Sequence, residues 1–288
     1  MSTTQTGGGT TVRRLVLGSQ LRRLREARGV TREQAGYSIR ASESKISRME
    51  LGRVGFKERD VADLLTLYGI HDDTERAILL ALVREANTAS WWHGYGAILP
   101  SWFQTYLGLE EAATTIQSYE VQLVPGLLQT ADYARAVITL GNHGATPDEV
   151  ERRVEVRLRR QQLLTAELPP RVVAVIDEAA LRRPWGSAEV MRGQLDRLAA
   201  LTELPAVELH ILPLGAGVQT AETGAFSMLT FAEPDLSDVV YLEQFTSALY
   251  LDKPEDVAEY GEAMRRLTAD SLTPDRAAAL LAAIRRDL

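Results

Sequence analysis

The sequence predicts an α+β protein in two parts: an all-α N-terminal domain of five short helices, and a larger mixed α/β C-terminal domain with a small antiparallel or mixed sheet. Three observations carry this. Five helical patterns with cap residues at their ends crowd into the first ninety residues. Short β-rich runs come only beyond residue 170. The charge is also divided: residues 1–60 hold thirteen Lys/Arg against six Asp/Glu, and the remainder holds nineteen against thirty-three.

The elements follow in order. Leu17, Leu21, Leu24 and Ala27 recur near helical spacing within 15–28, and Gly29 closes that helix. Thr31 offers an N-cap for a second helix over 32–38, and Ser42 one for a third over 43–51 that ends at Gly52. A fourth spans 57–68 and stops at Gly69; a fifth runs from Asp72-Asp73-Thr74 to about 87. Six of the eighteen aromatic residues then fall within 91–106. Residues 110–140 read as two helices broken at Val124-Pro125-Gly126. Residues 147–165 read as one long helix, with Pro147 in its first turn and Pro169-Pro170 behind it. Strands are expected at 172–176, 207–212, 226–231, 239–243 and 248–251, with helices at 188–201, 254–269 and 274–286.

The 288 residues suit about two domains, and a hydrophobic content of 45% is ordinary for a globular protein. We divide the chain into a disordered tail over 1–12, a helical domain over 13–88 and a sensor, partner-binding and dimerisation domain over 89–288. Cysteine is absent, which removes disulfides and thiolate metal sites. No apolar run reaches the ~20 residues that span a bilayer, and the N-terminus has no secretory pattern. The expectation is a cytoplasmic, nucleoid-associated protein without membrane partners. A basic head on an acidic body also suits contact with nucleic acid through the head alone.

The segment 31–53 carries the chemistry. Ala35 and Ile39 share one face of the second helix, and Ile46 and Met49 share one face of the third. Small residues, Ala35 and Gly36, sit where the two helices must cross. This is the geometry of a helix-turn-helix, whose second helix is presented to the major groove of duplex DNA. The outward residues of that helix are Ser42, Glu43, Ser44, Lys45, Ser47 and Arg48. Short hydroxyl side chains allow close approach. Lys45 and Arg48 can donate to guanine or to phosphate, and Glu43 either accepts from cytosine or assists the helix N-terminus. Arg32 is expected to meet a phosphate, flanked by Arg53 and Lys57. The alternative is a helical bundle with a solvated basic face.

The string Ser44-Lys45-Ile46-Ser47-Arg48-Met49-Glu50-Leu51-Gly52 resembles the recognition helix of the Xre/phage-repressor family, over about residues 15–70. The resemblance implies that Ser42, Glu43, Ser44, Lys45 and Arg48 contact base and backbone. It also implies a partly buried pair between Glu50 and Arg25. Two residues depart from the family: Arg40 stands where Gly is usual, which strains a turn of positive φ, and Gly36 stands where Ala is usual, which loosens the helix by ~1 kcal/mol.

Further strings resemble an actinobacterial group that joins such a head to a C-terminal domain, the antitoxin-like regulators of the Scr type. They are Trp102-Phe103-Gln104-Thr105-Tyr106-Leu107-Gly108-Leu109-Glu110, Val124-Pro125-Gly126-Leu127-Leu128-Gln129-Thr130, Asp177-Glu178-Ala179-Ala180-Leu181-Arg182-Arg183-Pro184, Tyr241-Leu242-Glu243 and Leu249-Tyr250-Leu251. That resemblance implies a very small partner protein encoded nearby.

The C-terminal part offers weaker candidates. Trp91, Trp92, Trp102, Phe103 and Tyr106 either line a ligand or partner groove or form core at a domain junction. Tyr119, Glu120 and Arg135 either close a polar pocket near Val124-Pro125-Gly126 or cap structure. The charge-rich helix over 151–160 reads as a solvated face. The four His show no metal-ligand spacing, and neither a phosphate loop nor a nucleophile elbow occurs. No catalysis, cofactor or metal is therefore expected. The predicted protein is a homodimer on double-stranded DNA, at an inverted repeat, controlled by a small molecule or small protein. An alternative is an antitoxin-like protein that sequesters a small partner and binds DNA to regulate itself.

Overall fold

A computed structural model of the chain describes residues 9–52, 54–88, 90–216, 224–233 and 236–288. The chain is α+β. Its contacts gather it into two compact units. The first holds Met1–Gly94, Gln104–Ala112 and Ala232–Leu236; the second holds Tyr95–Phe103, Ala113–Phe231 and Ser237–Leu288. No helix among the described residues is long and apolar enough to cross a membrane.

The first unit opens with five helices: α1 (Gly9–Ala27), α2 (Arg32–Ser38), α3 (Glu43–Glu50), α4 (Glu58–Leu67) and α5 (Asp73–Ala86). Their starts are set by side-chain caps. Thr31 and Gln34 form a reciprocal capping box, the Ser42 hydroxyl accepts from the Lys45 N–H, and Asp72 accepts from the Glu75 N–H. One core joins all five helices, through Leu17 and Leu21, Ala35, Ile46 and Met49, Val61, Leu64 and Leu65, and Val83. Each large apolar side chain removed from water there contributes roughly 1.5–3 kcal/mol. The disordered tail expected over 1–12 is corrected from Gly9 onward, and its residues 1–8 lie outside the described residues. α1 starts at Gly9, and Val12 is 3% exposed. Burial of Val12 extends the helix beyond what local propensity indicates.

A 3-10 turn at Trp91–Tyr95 precedes α6 (Ser101–Ala112). The second unit then continues with β1 (Thr115–Glu120), a 3-10 turn at Gly126–Leu128, α7 (Ala131–Gly141) and α8 (Pro147–Arg160), which tightens into a 3-10 turn at Gln161–Thr165. β2 (Arg171–Asp177), α9 (Glu178–Arg182), α10 (Ala188–Leu201), β3 (Val207–Leu212), β4 (Phe226–Thr230), β5 (Val239–Glu243), β6 (Ala248–Leu251), α11 (Pro254–Asp270) and α12 (Pro274–Asp287) complete it.

The six strands form one mixed sheet in the order β3-β2-β1-β4-β5-β6. β1, β2 and β3 are parallel; β4, β5 and β6 pair antiparallel. This corrects the two helices expected over 110–140, because β1 stands in the middle of the sheet, paired on both sides. Gln117, Ser118 and Glu120 conceal a strand that long-range pairing, not propensity, specifies.

β5 runs in the same direction as β1, with antiparallel β4 between them. The ends of β1, β2 and β5 therefore bring Glu120, Asp177 and Glu243 to one edge of the sheet. On one face Tyr119, Val175, Phe226, Met228 and Val240 pack against Met264 and Leu267 of α11. Alternation along the strands directs Glu120, Tyr241 and Glu243 to the other face.

Candidate nucleic-acid interface

Glycines let neighbouring backbone come close around α3. A side-chain carbon at Gly18 of α1 would lie 2.6 Å from the Met49 carbonyl oxygen, and one at Gly36 of α2 would lie 2.7 Å from the Ala41 carbonyl oxygen. Gly36 is therefore more than a weak helix former: its missing Cβ lets α2 cross the start of α3. The turn between the two helices holds Arg40 at φ 53, the one positive φ outside glycine among the described residues. That conformation costs about 1–2 kcal/mol in a residue with a Cβ.

An ion network secures the far end of α3. The Glu50 carboxylate is 2% exposed. Arg25 grips it with two bonds, Nε to Oε1 at 2.5 Å and Nη2 to Oε2 at 3.1 Å, and also donates to the Val30 carbonyl at 2.9 Å. The hydrogen bond that Arg25 donates to Glu50 raises the pKa of Arg25. Arg32 adds a third contact, Nε to Oε2 at 3.1 Å. The pairing of Glu50 with Arg25 agrees with the resemblance. Arg32, expected at a phosphate, is bound to Glu50 here.

The outer face of α3 leaves Ser42, Glu43, Ser44 and Arg48 exposed, with Lys45 and Ser47 half-buried. The Ser42 hydroxyl is engaged in the cap, accepting from the Lys45 N–H at 3.2 Å. Arg48 Nε donates to the Ser44 carbonyl at 3.3 Å and, among the described residues, pairs with no carboxylate. Lys45 is held: its Nζ lies 2.7 Å from Asp60 Oδ2. Lys57 is exposed at the N-cap of α4, and Arg53 lies outside the described residues. Sequence reasoning missed Asp60, which sits on another helix and carries no local spacing signal toward Lys45.

The C-terminal candidates have separate settings. In the first unit the Trp91 and Trp92 rings meet edge-on at 5.4 Å, and Tyr106 is 6% exposed. In the second, Trp102 and Phe103 meet edge-on at 6.0 Å, and the Arg160 guanidinium lies 5.3 Å from the Phe103 ring centre. Tyr119 is fully buried, edge-on to Phe226 at 6.2 Å, and its hydroxyl has no hydrogen-bond partner among the described residues. Burial, reinforced by the charge of Asp177, pushes that phenol up to about 12. Arg135 is on the surface of α7, paired with Asp132 at 2.7 Å and Glu151 at 2.6 Å. Together with Glu155, Leu158 and Arg159 it lines an open groove of about 530 Å³.

A different polar cluster forms near Val124-Pro125-Gly126. Among the described residues, the Glu120 carboxyl has no hydrogen bond or ion pair. Burial pushes its pKa up to about 8, the Glu243 carboxylate adds to the shift, and Arg157 and Arg160 of α8 oppose it. The Tyr241 hydroxyl donates to Glu243 at 2.9 Å, and Arg157 donates to Gln129 at 2.8 Å. The segment 151–160 is thus not a solvated face throughout: Val154, Val156 and Arg160 are buried. Its alternating charges hid the inward arginine, and Glu243, quoted only within the string Tyr241-Leu242-Glu243, gave no sign of lying near Glu120.

A short helix, rigidly mounted and carrying hydroxyls, a carboxylate and an unpaired guanidinium on its outer side, can enter a major groove ~12 Å wide. Mount and face together define a helix-turn-helix DNA-binding regulator, and residues 16–79 match the family described as helix-turn-helix domain. Residues 103–283 match a second family, described as domain of unknown function DUF5753. The chain belongs to the DUF5753 family. Neither a curated protein nor a solved structure matched it.

Proposed function

We propose that the chain is a non-catalytic, sequence-specific transcriptional regulator that binds an inverted-repeat operator as a homodimer in the cytoplasm. Each protomer inserts α3 into one of two successive major grooves, ~34 Å apart. The observation that carries this reading is the outer face of α3, held from behind by the Arg25–Glu50–Arg32 network. A helix that served only packing has no need of so firm a mount beneath a polar, solvent-facing side.

The test is binding to a randomised duplex pool, with the bound sequences recovered. An enriched palindrome, bound by two protomers in sedimentation, is the expected result. Arg48→Ala then loses about 1–3 kcal/mol on the enriched sequence and less on random duplex. Equal affinity for both duplexes in wild type and mutant would refute sequence readout.

Control is assigned in this reading to the C-terminal part. Glu120 supports a small ligand, since a partly buried carboxyl without a partner at the carboxyl end of a strand is where α/β sheets bind ligands. The antitoxin-like reading, in which the chain sequesters a small protein, is favoured by a separate observation. Phe245, between β5 and β6, is 97% exposed, and nearby Leu249 is 54% exposed. Phe245→Ser distinguishes the two: it abolishes capture of a co-expressed small protein and leaves small-ligand control intact.

A further inference from the structure

The cations of the recognition helix are not equivalent. Arg48 is exposed and, among the described residues, pairs with no carboxylate. Lys45, three residues earlier, is joined to Asp60 of α4 at 2.7 Å, with the lysine side chain 31% and the aspartate 15% exposed. Asp60 lies in the first turn of α4, where the helix dipole favours a carboxylate. It is therefore a fixed anchor for the flexible lysine.

We propose that Asp60 is a specificity-determining positioning residue, which ties Lys45 to α4 and keeps it from acting as a free point charge on DNA phosphate. The inference rests on the DNA-binding reading of α3 and goes beyond it. A lysine ammonium is a strongly hydrated charge on a flexible stem, and attracts any phosphate within reach whatever the base sequence. Such a charge at the groove raises affinity for all duplexes and dilutes the discrimination made by Ser44, Ser47 and Arg48. Pairing with Asp60 removes that contribution. It also leaves Arg48, suited to bidentate contact with guanine, as the unpaired cation of α3.

The test uses the full chain and two probes: a mixed-sequence 30-bp duplex and the sequence enriched from a randomised pool. Asp60→Asn frees Lys45. One added phosphate contact steepens the slope of log affinity against log salt by about 0.9 on the mixed duplex. The advantage of the mutant over wild type on that probe then shrinks about 3.5-fold between 50 and 200 mM salt. The affinity ratio between enriched and mixed duplex falls, and Asp60→Glu restores it.

Removing a carboxylate near DNA also has a general electrostatic effect, so the decisive arm is a double-mutant cycle. In a Lys45→Met background, Asp60→Asn no longer changes the salt slope or the ratio. Should it change both there as much as in the wild type, Asp60 acts by its charge alone and the positioning role is wrong. If the single mutant matches wild type on both probes while wild type still enriches a defined sequence, the inference fails and the DNA-binding reading stands. If wild type enriches no sequence, both fail. Thermal unfolding of each variant shows whether a changed slope comes from a damaged fold.

Discussion

Removing the Arg25 side chain tests how α3 is mounted. Arg25→Ala strips both of its bonds from a carboxylate that is 2% exposed, leaving Glu50 with Arg32, whose side chain is 37% exposed. A buried charge that loses its main partner costs about 3–5 kcal/mol. Arg32→Ala removes only the outer contact and leaves the two-bond grip intact, at no more than about 1 kcal/mol. The two substitutions thus differ by roughly 2–5 kcal/mol, against a total of about 5–15 kcal/mol for a domain. Native-state hydrogen exchange on the full chain reads this directly at the amides of Ile46, Met49 and Glu50. Opening there becomes faster by about a hundredfold or more in Arg25→Ala, since ~1.4 kcal/mol is a factor of ten, and by less than about tenfold in Arg32→Ala. Equal loss of protection in the two variants would refute the argument that burial makes the Arg25 contact dominant.

Two further outcomes follow from particular contacts. Gly36→Ala gains helix propensity of ~1 kcal/mol but drives a methyl to 2.7 Å from the Ala41 carbonyl oxygen, so it destabilises by about 1–3 kcal/mol in urea unfolding; a variant more stable than wild type would show that the crossing is loose. Glu120 makes stability depend on pH, because its folded pKa of about 8 exceeds the ordinary 4.5. The folded state binds the extra proton, so this contribution is intact below pH about 4.5 and is lost as pH rises through about 8. Glu120→Gln abolishes that loss, giving at most about 5 kcal/mol at pH 9 and little at pH 5; parallel urea midpoints for the two proteins from pH 5 to 9 would contradict it.

Much of the head was legible because its determinants are local. Thr31, Ser42 and Asp72 cap helices within three residues of themselves, and Gly52 and Gly69 stop them at positive φ. A reader of sequence can find such signals. The strand β1 was hidden because its evidence lies far away: Thr115 meets Arg171 on one side and Thr230 on the other. The same distance hid the site chemistry. Lys45 gave no hint in sequence of Asp60 beside it, and Arg32 none of Glu50. Arg135 suggested itself as a pocket residue by charge alone, whereas the groups that act on Glu120 come from β5 and α8. Spacing within an element was informative; pairing between elements was not.

The charge of the head needs the same correction. The first sixty residues carry thirteen basic side chains, which suggests a strongly salt-dependent grip on DNA. Yet Arg13, Arg22, Arg25, Arg32 and Lys45 are ion-paired within the protein, and Arg14 and Arg28 donate to the carbonyls of Ala86 and Tyr68. Among the described residues of that stretch, Arg40, Arg48, Lys57 and Arg59 are exposed and carry no ion pair. Four such contacts per head, at about 0.9 each, give a dimer a salt slope near −7 at most from these residues. Titrations of the enriched duplex between 50 and 300 mM salt measure it. A slope much steeper than this, retained in Arg23→Ala and Arg53→Ala, would mean that DNA pulls Arg32 or Lys45 away from its internal partner. Discrimination would then come from that exchange of partners and not from a face already set in the free protein.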